Sequence, residues 1–307
     1  MTVHGPADGW VESPEGVRFW GRAGAAGLLA VDRRDRVLLQ HRAVWSHHGG
    51  TWGLPGGARQ FDESAVEGAL RESSEEAAVP PEALALSFAS VVDLGFWSYT
   101  TVVAHVVVDF EPRIADAESS ELRWVPADEV SGLPLHPGFA GSWPELRRHL
   151  DTRTHVVVDA ANVVGSRPDG WWRDRVGATG RVIDLLEAQR PAGVPAAWFD
   201  GSDSVGESIP GTPSRWWPGL SVVVEGQARQ VADRPASPID IVRAAGSGDD
   251  AVVERVAALR THAVPSRIVV VTADRGLRDR VEAEGAVVVG PGRLLGSAGA
   301  DVPDRAV

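Results

Sequence analysis

The sequence predicts two domains of different architecture: an α+β domain over residues 1–150 and an α/β domain over residues 151–307. The length of 307 residues exceeds the ~100–200 residues of a typical single domain. In the first part, strand patterns surround one long helical pattern, which is typical of a mixed sheet between helices. In the second part, short apolar strands alternate with helices, which is typical of a parallel sheet with helices on both faces.

The first domain begins with a predicted hairpin over residues 24–40, where two apolar segments flank a polar turn. A helix is predicted over residues 63–77. It starts at Ser64-x-x-Glu67, a capping-box pattern, and it stops before two consecutive prolines. Strands rich in Val, Phe and Thr then follow at residues 87–93 and 100–110.

The second domain repeats a strand-then-helix pattern. Its predicted strands are residues 155–159, 196–200, 220–225, 267–272 and 286–289. Its predicted helices are residues 176–189, 249–259 and 277–284. The last residues, from about 296, are small and polar and predict a frayed tail.

Composition excludes several kinds of chemistry. The chain has no Cys, which excludes disulfides, thiolate metal ligands and cysteine nucleophiles. All 30 basic residues are Arg, so a Schiff-base lysine or a phosphate-loop lysine is also excluded. The net charge of −12 argues against general coating of nucleic acid. The absence of a long apolar run or a signal-like start predicts a cytoplasmic protein with no membrane partner.

Three carboxylates of the predicted helix carry the first chemical signal. Glu72, Glu75 and Glu76 stand at i, i+3 and i+4, so they project from one helix face and repel one another at pH 7. Mg2+ relieves such repulsion, and it binds a few carboxylates together with substrate phosphates. Arg71 can orient a neighbouring carboxylate, and Gly57 allows a tight turn before the helix. The alternative is a solvated acidic helix with surface ion pairs only.

This stretch resembles the Nudix box, whose pattern is G-x5-E-x7-R-E-U-x-E-E-x-G-U with U a bulky aliphatic residue. The matching positions are Gly57, Glu63, Arg71, Glu72, Glu75, Glu76 and Val79. Ser73 replaces the first aliphatic residue, and Ala78 replaces the second glycine. The flanking segments extend the resemblance over residues 18–148.

The resemblance implies a Nudix fold and hydrolysis of a nucleoside diphosphate linked to another group, or of a nucleoside triphosphate, with Mg2+ or Mn2+ as cofactor. It implies that Glu72, Glu75 and Glu76 hold the metal and that Glu76 or Glu121 is the general base. The resemblance also implies that Arg71 belongs to the catalytic residues. Glu121 has the alternative of being only an exposed strand residue.

A second group of acidic and amide residues follows predicted strands of the second domain. Asp159 and Asn162 follow the first strand, Asp274 follows a later one, and Asp249-Asp250 open a helix. In an open parallel sheet, ligands bind beyond the carboxyl ends of the strands, and carboxylates there can hold metals around a phosphodiester. Helix capping by Asp is the simpler alternative.

The arrangement also resembles the NYN domains of the PIN-like nucleases, in particular the YacP-like branch. The similar pieces are Val-Asp-Ala-x-Asn at 158–162, Gly-Asp-Asp-Ala-Val-Val at 248–253 and Val-Val-Thr-Ala-Asp-Arg-x-Leu at 270–277. The resemblance implies a metal-dependent ribonuclease fold with RNA as partner. The acidic site would contain Asp159, Asp249, Asp250 and Asp274, with Asn162 and Asp200 as further candidates.

Other polar and aromatic residues stay open between a substrate role and a structural role. His47 and His48 can contact a phosphate or a base, or form a polar loop. Trp45, Trp52 and Trp97 can stack on a base or belong to the core.

Three hypotheses of function follow. The first is a Nudix hydrolase of small nucleotides. The second is an RNA-processing protein that combines 5′-end pyrophosphohydrolysis with endoribonuclease activity. The third is a nucleotide- or RNA-sensing protein in which one domain is inactive.

Overall fold

The chain divides after Leu150 into two units. The computed structural model describes residues 5–167, 170–200, 209–261 and 265–296. The first unit comprises Met1–Leu150 and Val205–Arg215, and most of the remaining chain forms the second. The predicted frayed tail beyond residue 296 lies outside the described residues.

A mixed sheet forms the centre of the first unit. Its strands and helices are β1 (Trp10–Glu12), β2 (Arg18–Trp20), β3 (Ala25–Val31), β4 (Arg36–Arg42), β5 (Trp52–Gly53), β6 (Gly56–Ala58), α1 (Ala65–Ala77), β7 (Leu84–Asp93), β8 (Ser98–Val106), β9 (Ser119–Pro126) and α2 (Pro137–His149). The strand order is β7-β8-β3-β4-β5, with β6 beside β3 and β9 beside β4. β3 and β8 are parallel, whereas β3–β4, β3–β6 and β7–β8 are antiparallel.

The core of this unit fixes α1 against the sheet. Leu28, Leu38 and Val102 of the sheet pack with Ala69 and Ala77 of α1, and all five side chains are buried. The small alanines let the helix approach the sheet closely. The helix α1 also lies against the short strand β6, which precedes it in the chain.

A late segment of the chain completes the first unit. The described part of this segment is residues 209–215. Ser214 donates its N–H to the carbonyl of Ala89 in β7, and Gly211 donates to Ser90 Oγ. Gly211 has φ +94, and a Cβ there would strike the carbonyl of Ser142 in α2. The first unit is therefore not a continuous segment of sequence.

The second unit contains a parallel sheet, as predicted. Its elements are β10 (Arg153–Asp159), α3 (Ala160–Gly165), α4 (Arg175–Gln189), β11 (Val194–Pro195), α5 (Ala197–Asp200), β12 (Arg215–Trp216, at the division of the units), β13 (Gly219–Val224), β14 (Ile239–Arg243), α6 (Gly248–Arg260), β15 (Ser266–Val271), α7 (Arg275–Ala283), β16 (Val287–Val289) and α8 (Pro291–Gly296). The order is β14-β13-β10-β15-β16, and all these pairs are parallel.

Helices lie on both faces of this sheet. Val157 and Val270 pack with Val252 of α6 and Leu277 of α7 on one face. On the other face, Leu186 of α4 lines an apolar pocket together with Val156, which precedes Val157 on β10. Because neighbouring strand residues point to opposite faces, the two sets of helices cover opposite sides.

Two sequence predictions in this unit were wrong. Residues 196–200 are not a strand, since Ala197–Asp200 form a helical turn in which consecutive Trp198 and Phe199 are both buried. Consecutive burial gives no alternation that would separate a buried strand from a helix. The strand β14 was missed, because its five residues include charged Asp240 and Arg243.

Candidate functional site

The helix α1 begins and ends at positions that the sequence marks. Ser64 Oγ accepts the N–H of Glu67 at 3.2 Å, and Glu67 Oε2 accepts the N–H of Ser64 at 2.8 Å, which completes the predicted capping box. At the other end, Ala78 adopts the left-handed conformation with φ +53. This is the position where the family pattern has glycine, which takes that conformation without strain.

Arg71 forms hydrogen bonds with three carboxylates on or beside α1. Its guanidinium donates to Glu63 at 2.6 Å, to Glu72 at 2.8 Å and to Glu75 at 3.2 Å. It also donates to the carbonyl of Ala58 in β6 at 3.0 Å. The hydrogen bonds to Glu63 raise the pKa of Arg71, against an opposing effect of burial. Arg71 therefore orients carboxylates, as the sequence predicted.

Burial alone would raise the pKa of Glu63. Hydrogen bonds from Arg71 and from the Gln60 N–H outweigh that effect, so the pKa of Glu63 lies below its ordinary value. Glu63 therefore loses its proton more readily than an ordinary glutamate. It holds Arg71 in place from outside the helix.

Glu76 is the most buried of the three helix carboxylates, with 7% of the residue exposed. Its Oε2 accepts the N–H of Gly56 at 2.8 Å. Burial, together with the nearby charges of Glu72 and Asp116, raises the pKa of Glu76 well above its ordinary value. A buried carboxylate that is costly to ionise suits a divalent cation, because the cation would stabilise the charged form.

Gly57 has a different role from the predicted tight turn. It lies inside β6, paired with Ala26 of β3, and its φ is not in the left-handed region. A Cβ on Gly57 would lie 2.6 Å from Glu72 Oε2. The glycine therefore makes room for the carboxylate of Glu72. Burial raises the pKa of Glu72, although the charge of Arg71 opposes this.

Three residues near Glu76 were missed by the sequence analysis. Asp116 and Tyr99 both interact electrostatically with Glu76, and so does Arg42. Burial raises the pKa of the Tyr99 hydroxyl, and the charge of Glu76 raises it further. The hydroxyl occupies the space in which Gly27 lacks a side chain. These residues lie on β4, on β8 and after β8, so no local spacing links them to the box.

Glu121 lies on β9 opposite His41 of β4. Its carboxylate accepts two hydrogen bonds from Arg123, the shorter at 2.6 Å, and its side chain is 46% exposed. Arg123 in turn lies 4.7 Å over the ring of Trp52. Of the three candidate stacking residues, Trp52 is buried, Trp45 is exposed, and Trp97 is half-buried with its indole N–H bonded to the carbonyl of Trp20.

In the second unit, Asp159 joins the ends of two parallel strands. Its Oδ1 accepts the N–H of Asn162 at 3.1 Å, and its Oδ2 accepts the hydroxyl of Thr272 at 2.9 Å. Asn162 Oδ1 accepts the N–H of Ala273 at 2.8 Å. Burial raises the pKa of Asp159, and the charges of Asp249 and Glu225 raise it further.

Most remaining acidic candidates surround the same end of the sheet. Burial and the charge of Asp274 raise the pKa of Asp249. Asp274 also caps α7 by accepting the N–H of Leu277 at 2.8 Å, and Asp250 pairs with Arg280 at 2.6 Å. Glu225, which the sequence analysis missed, accepts the N–H of Gly248 at 2.7 Å. It follows β13 directly, so its position after a strand was the available signal.

Asp200 does not join this group. It pairs at 2.8 Å with Arg267, near the start of β15, whereas Asp274 follows the end of β15. Asp200 is the last residue of the helical turn Ala197–Asp200.

The geometry around α1 agrees with what comparison with known proteins finds. A family model described as the NUDIX domain matches residues 21–148. A Mycobacterium tuberculosis protein whose name assigns it to the 8-oxo-dGTP diphosphatases is 54% identical over 155 residues, which is 47% of this chain and 71% of that protein. A Bifidobacterium longum protein named as a fusion of a nucleoside triphosphate pyrophosphatase and a Nudix hydrolase is 45% identical over 162 residues, or 49% and 33% of the two chains.

Among solved structures, the Nudix hydrolase RenU of M. smegmatis is 49% identical. It covers 46% of this chain and 93% of its own, with a TM-score of 0.43. Together, the sequence matches define a hydrolase that acts on acid anhydrides. The chain belongs to the Nudix family, through residues 21–148.

No helix among the described residues is both long and apolar enough to cross a membrane.

Proposed function

We propose that the first unit hydrolyses the diphosphate linkage of a nucleoside triphosphate, with oxidised purine nucleotides such as 8-oxo-dGTP as the first substrates to test. The observation that carries this proposal is the buried Glu76 carboxylate beside Glu72, held by the Gly56 N–H. The name of the M. tuberculosis relative supports the choice of substrate. Other nucleoside diphosphate derivatives remain alternatives, because substrate choice depends on loops outside the box.

Glu72, Glu75 and Glu76 are the residues that would hold Mg2+ or Mn2+. When bound there, such an ion neutralises phosphate charge and makes water a better nucleophile. The chain's own residues then set the geometry. Arg71 holds Glu72 and Glu75 in register, and the Gly56 N–H fixes Glu76.

We assign the proton acceptor to Glu76. A general base must lie within hydrogen-bond reach of the proton that it accepts. The Gly56 N–H holds the Glu76 carboxylate in the group of residues that would bind the metal and its water. Glu121 is the second candidate, but its carboxylate is engaged by Arg123. The two assignments predict different effects on kcat for substitutions at Glu76 and Glu121.

The experiment measures turnover of 8-oxo-dGTP, dGTP, dinucleoside polyphosphates and sugar nucleotides, with Mg2+ and with EDTA. Glu76→Gln should lower kcat by about 10²–10⁴-fold, the usual contribution of a general base. Glu121→Gln is the matched control and should lower it much less. A large loss in Glu121→Gln with none in Glu76→Gln would reverse the assignment, and turnover in EDTA would exclude the metal.

A second function concerns the second unit, which we propose to be a metal-dependent ribonuclease-like domain. The supporting observation is Asp159, whose pKa is raised by burial and by its neighbours Asp249 and Glu225. Such a group of carboxylates suits Mg2+ or Mn2+ and a phosphodiester. Capping by Asp159 and Asp274 explains part of the same geometry without a ligand.

RNA cleavage with Mg2+ or Mn2+ tests this second proposal. Asp159→Asn should abolish cleavage, whereas Asp200→Asn, at the other edge of the sheet, should leave it unchanged. If a 5′-triphosphorylated RNA is trimmed by the first unit and cut by the second, the protein processes RNA. Metal-dependent RNA binding without cleavage would favour the sensing hypothesis instead.

A further inference from the structure

Three histidines from outside α1 come together in the first unit. They are His47 and His48, in the loop after β4, and His136, directly before α2. One ligand nitrogen from each ring can be chosen so that all lie within 4.8 Å of one another. The ring centroids of His47 and His48 are 4.1 Å apart, and those of His48 and His136 are 4.7 Å apart.

Hydrogen bonds to the backbone of the loop fix the positions of His47 and His48. His48 has φ +55, a left-handed conformation that few residues other than glycine adopt. The carbonyl of His48 accepts the hydroxyl of Thr51 at 2.6 Å, and the carbonyl of His47 accepts Arg42 Nε at 2.9 Å. A strained residue that its surroundings hold in place is a frequent feature of binding sites.

The third histidine is fixed by the neighbouring strand. The N–H of His136 donates to the carbonyl of Trp52 at 2.7 Å, and the N–H of Trp52 donates to the carbonyl of Pro134 at 2.8 Å. This pairing with β5 brings His136 to the loop, although 88 residues separate it from His48 in sequence (136 minus 48). Trp10 closes the group by an edge contact with His47, at 5.3 Å between centroids.

We propose that His47, His48 and His136 form a binding site for Zn2+ or a similar transition metal ion, built from other residues than those proposed to hold Mg2+. Imidazole nitrogen is a preferred ligand of Zn2+, Co2+, Ni2+ and Cu2+, whereas Mg2+ requires oxygen. Three protein ligands leave a fourth position for water or an anion. This site goes beyond the proposed function, since no step of anhydride hydrolysis uses it.

The distances require a small closure of the rings. With a Zn–N bond of about 2.0–2.1 Å, tetrahedral geometry places two ligand nitrogens roughly 3.4 Å apart. The largest separation, at most 4.8 Å, must therefore shrink by up to about 1.4 Å. His47 and His48 are exposed and can make this movement by rotation of their side chains.

Binding also changes a hydrogen bond at α2. His136 Nδ1 accepts the N–H of Gly138 at 3.2 Å and so caps the helix. A metal on Nε2 requires the proton on Nδ1, so the ring must give up this cap. The charge of Arg42 nearby opposes a cation, and the bond from Arg42 Nε to His47 keeps it beside the loop.

The experiment measures Zn2+ binding by calorimetry with the full chain, after removal of any histidine tag and in excess Mg2+ to occupy the carboxylates. The wild-type chain should bind one Zn2+ at this site. Each of His48→Ala and His136→Asn should weaken that binding by at least about 10-fold. Asn keeps an oxygen that can cap α2, so loss of binding in His136→Asn is not loss of the cap.

His41→Asn is the matched control and should leave Zn2+ binding unchanged. Co2+ provides an independent readout, because a bound ion with tetrahedral nitrogen ligands shows strong visible absorption, which His48→Ala should remove. The proposal is overturned by equal Zn2+ binding in His48→Ala and wild type, or by no stoichiometric binding at all. Binding of inorganic phosphate without metal, lost in the same variants, would instead assign an anion site.

Discussion

The chain has two clusters of carboxylates, one in each unit, and the two are built in different ways. In the first unit, Glu72, Glu75 and Glu76 stand on one helix, and a single guanidinium, that of Arg71, bonds two of them. In the second unit, Asp159, Asp249 and Asp274 come from separate ends of elements. There, Asp159 and Asp274 also cap helices.

This difference explains why one site is easier to recognise than the other. Carboxylates on one helix have a fixed spacing, so three of them together indicate a ligand more strongly than a surface. Carboxylates at strand ends have variable spacing, and two of them, Asp159 and Asp274, are already explained by capping hydrogen bonds. The first cluster can therefore be recognised from its sequence motif, whereas recognising a function for the second cluster requires a functional measurement.

Among changes that keep all three carboxylates of α1, the largest effect is expected at Arg71. Arg71→Lys removes the planar fork that reaches Glu63, Glu72 and Glu75, so the carboxylates lose their common orientation. We expect kcat/KM for the nucleotide substrate to fall by about 10–100-fold, as for other residues that orient metal ligands. Arg280→Lys, at the residue that pairs with Asp250 in the second unit, should leave this rate unchanged. Unchanged kcat/KM in Arg71→Lys would show that this fork is dispensable.

Gly57→Ala tests whether the space for Glu72 matters. The added Cβ would lie 2.6 Å from Glu72 Oε2, so the carboxylate must move while the backbone of β6 stays. We expect a loss of about 10-fold or more in kcat, because small misplacements at a reacting centre are costly. Gly53→Ala is the control, since its Cβ would meet ordinary contacts at 3.7 Å. Equal rates in the two variants would contradict the role given to Gly57.

Removing a buried charge should stabilise each unit when metal is absent. The pKa values of Glu76 and Asp159 are raised in the folded state, so ionisation destabilises the fold as the pH rises above the ordinary carboxyl pKa. In EDTA at pH 7, Glu76→Gln should raise Tm by a few degrees, and the gain should shrink as the pH falls toward 4.

Asp159→Asn should also raise the Tm of the second unit. The increase should be smaller, because two hydrogen bonds stabilise the charged form of Asp159. With added Mg2+, the Tm of Glu76→Gln should instead lie below that of the wild type, since only the wild type binds the ion well. Thermal melts over a pH series check both variants. A Tm that falls in EDTA at pH 7 for Glu76→Gln would refute the raised pKa.

The smallest effect concerns the end of α1. Ala78 has φ +53, and a left-handed conformation costs an alanine roughly 1 kcal/mol relative to glycine. Ala78→Gly should therefore raise the free energy of unfolding by up to about 1 kcal/mol, while Ala77→Gly, one residue earlier in the helix, should lower it by about 1 kcal/mol. Denaturant unfolding of the two variants measures both, and a destabilised Ala78→Gly would contradict the strain.

The first unit could be predicted where its signals are local. The capping box at Ser64, the span of α1 and the convergence on Arg71 all follow from spacing along one helix. The positions of Tyr99 and Asp116 could not be predicted, because pairing between strands and a loop after β8 brings them to Glu76. The role of Gly57 depends on a tertiary approach, so its local interpretation as a turn residue was wrong.

The second unit shows the same limit more strongly. Its alternation of strands and helices predicted a parallel sheet, and the sheet is parallel. The helix at Ala197–Asp200 escaped prediction, because four residues carry too little periodicity to separate helix from strand. Asp200, the last residue of that short helix, pairs with Arg267 near the start of β15, whereas Asp274 follows the end of β15.

The segment at residues 209–215 has a consequence for how the protein is made. Because Ser214 donates its N–H to Ala89, the ribosome must synthesise β10, α3 and α4 before β7 of the Nudix unit receives this backbone partner. Until then, this stretch of β7 presents unpaired backbone groups to the cell. A gene fragment that stops at codon 150 would leave that edge permanently open, so the boundary visible in the sequence is a poor place to cut.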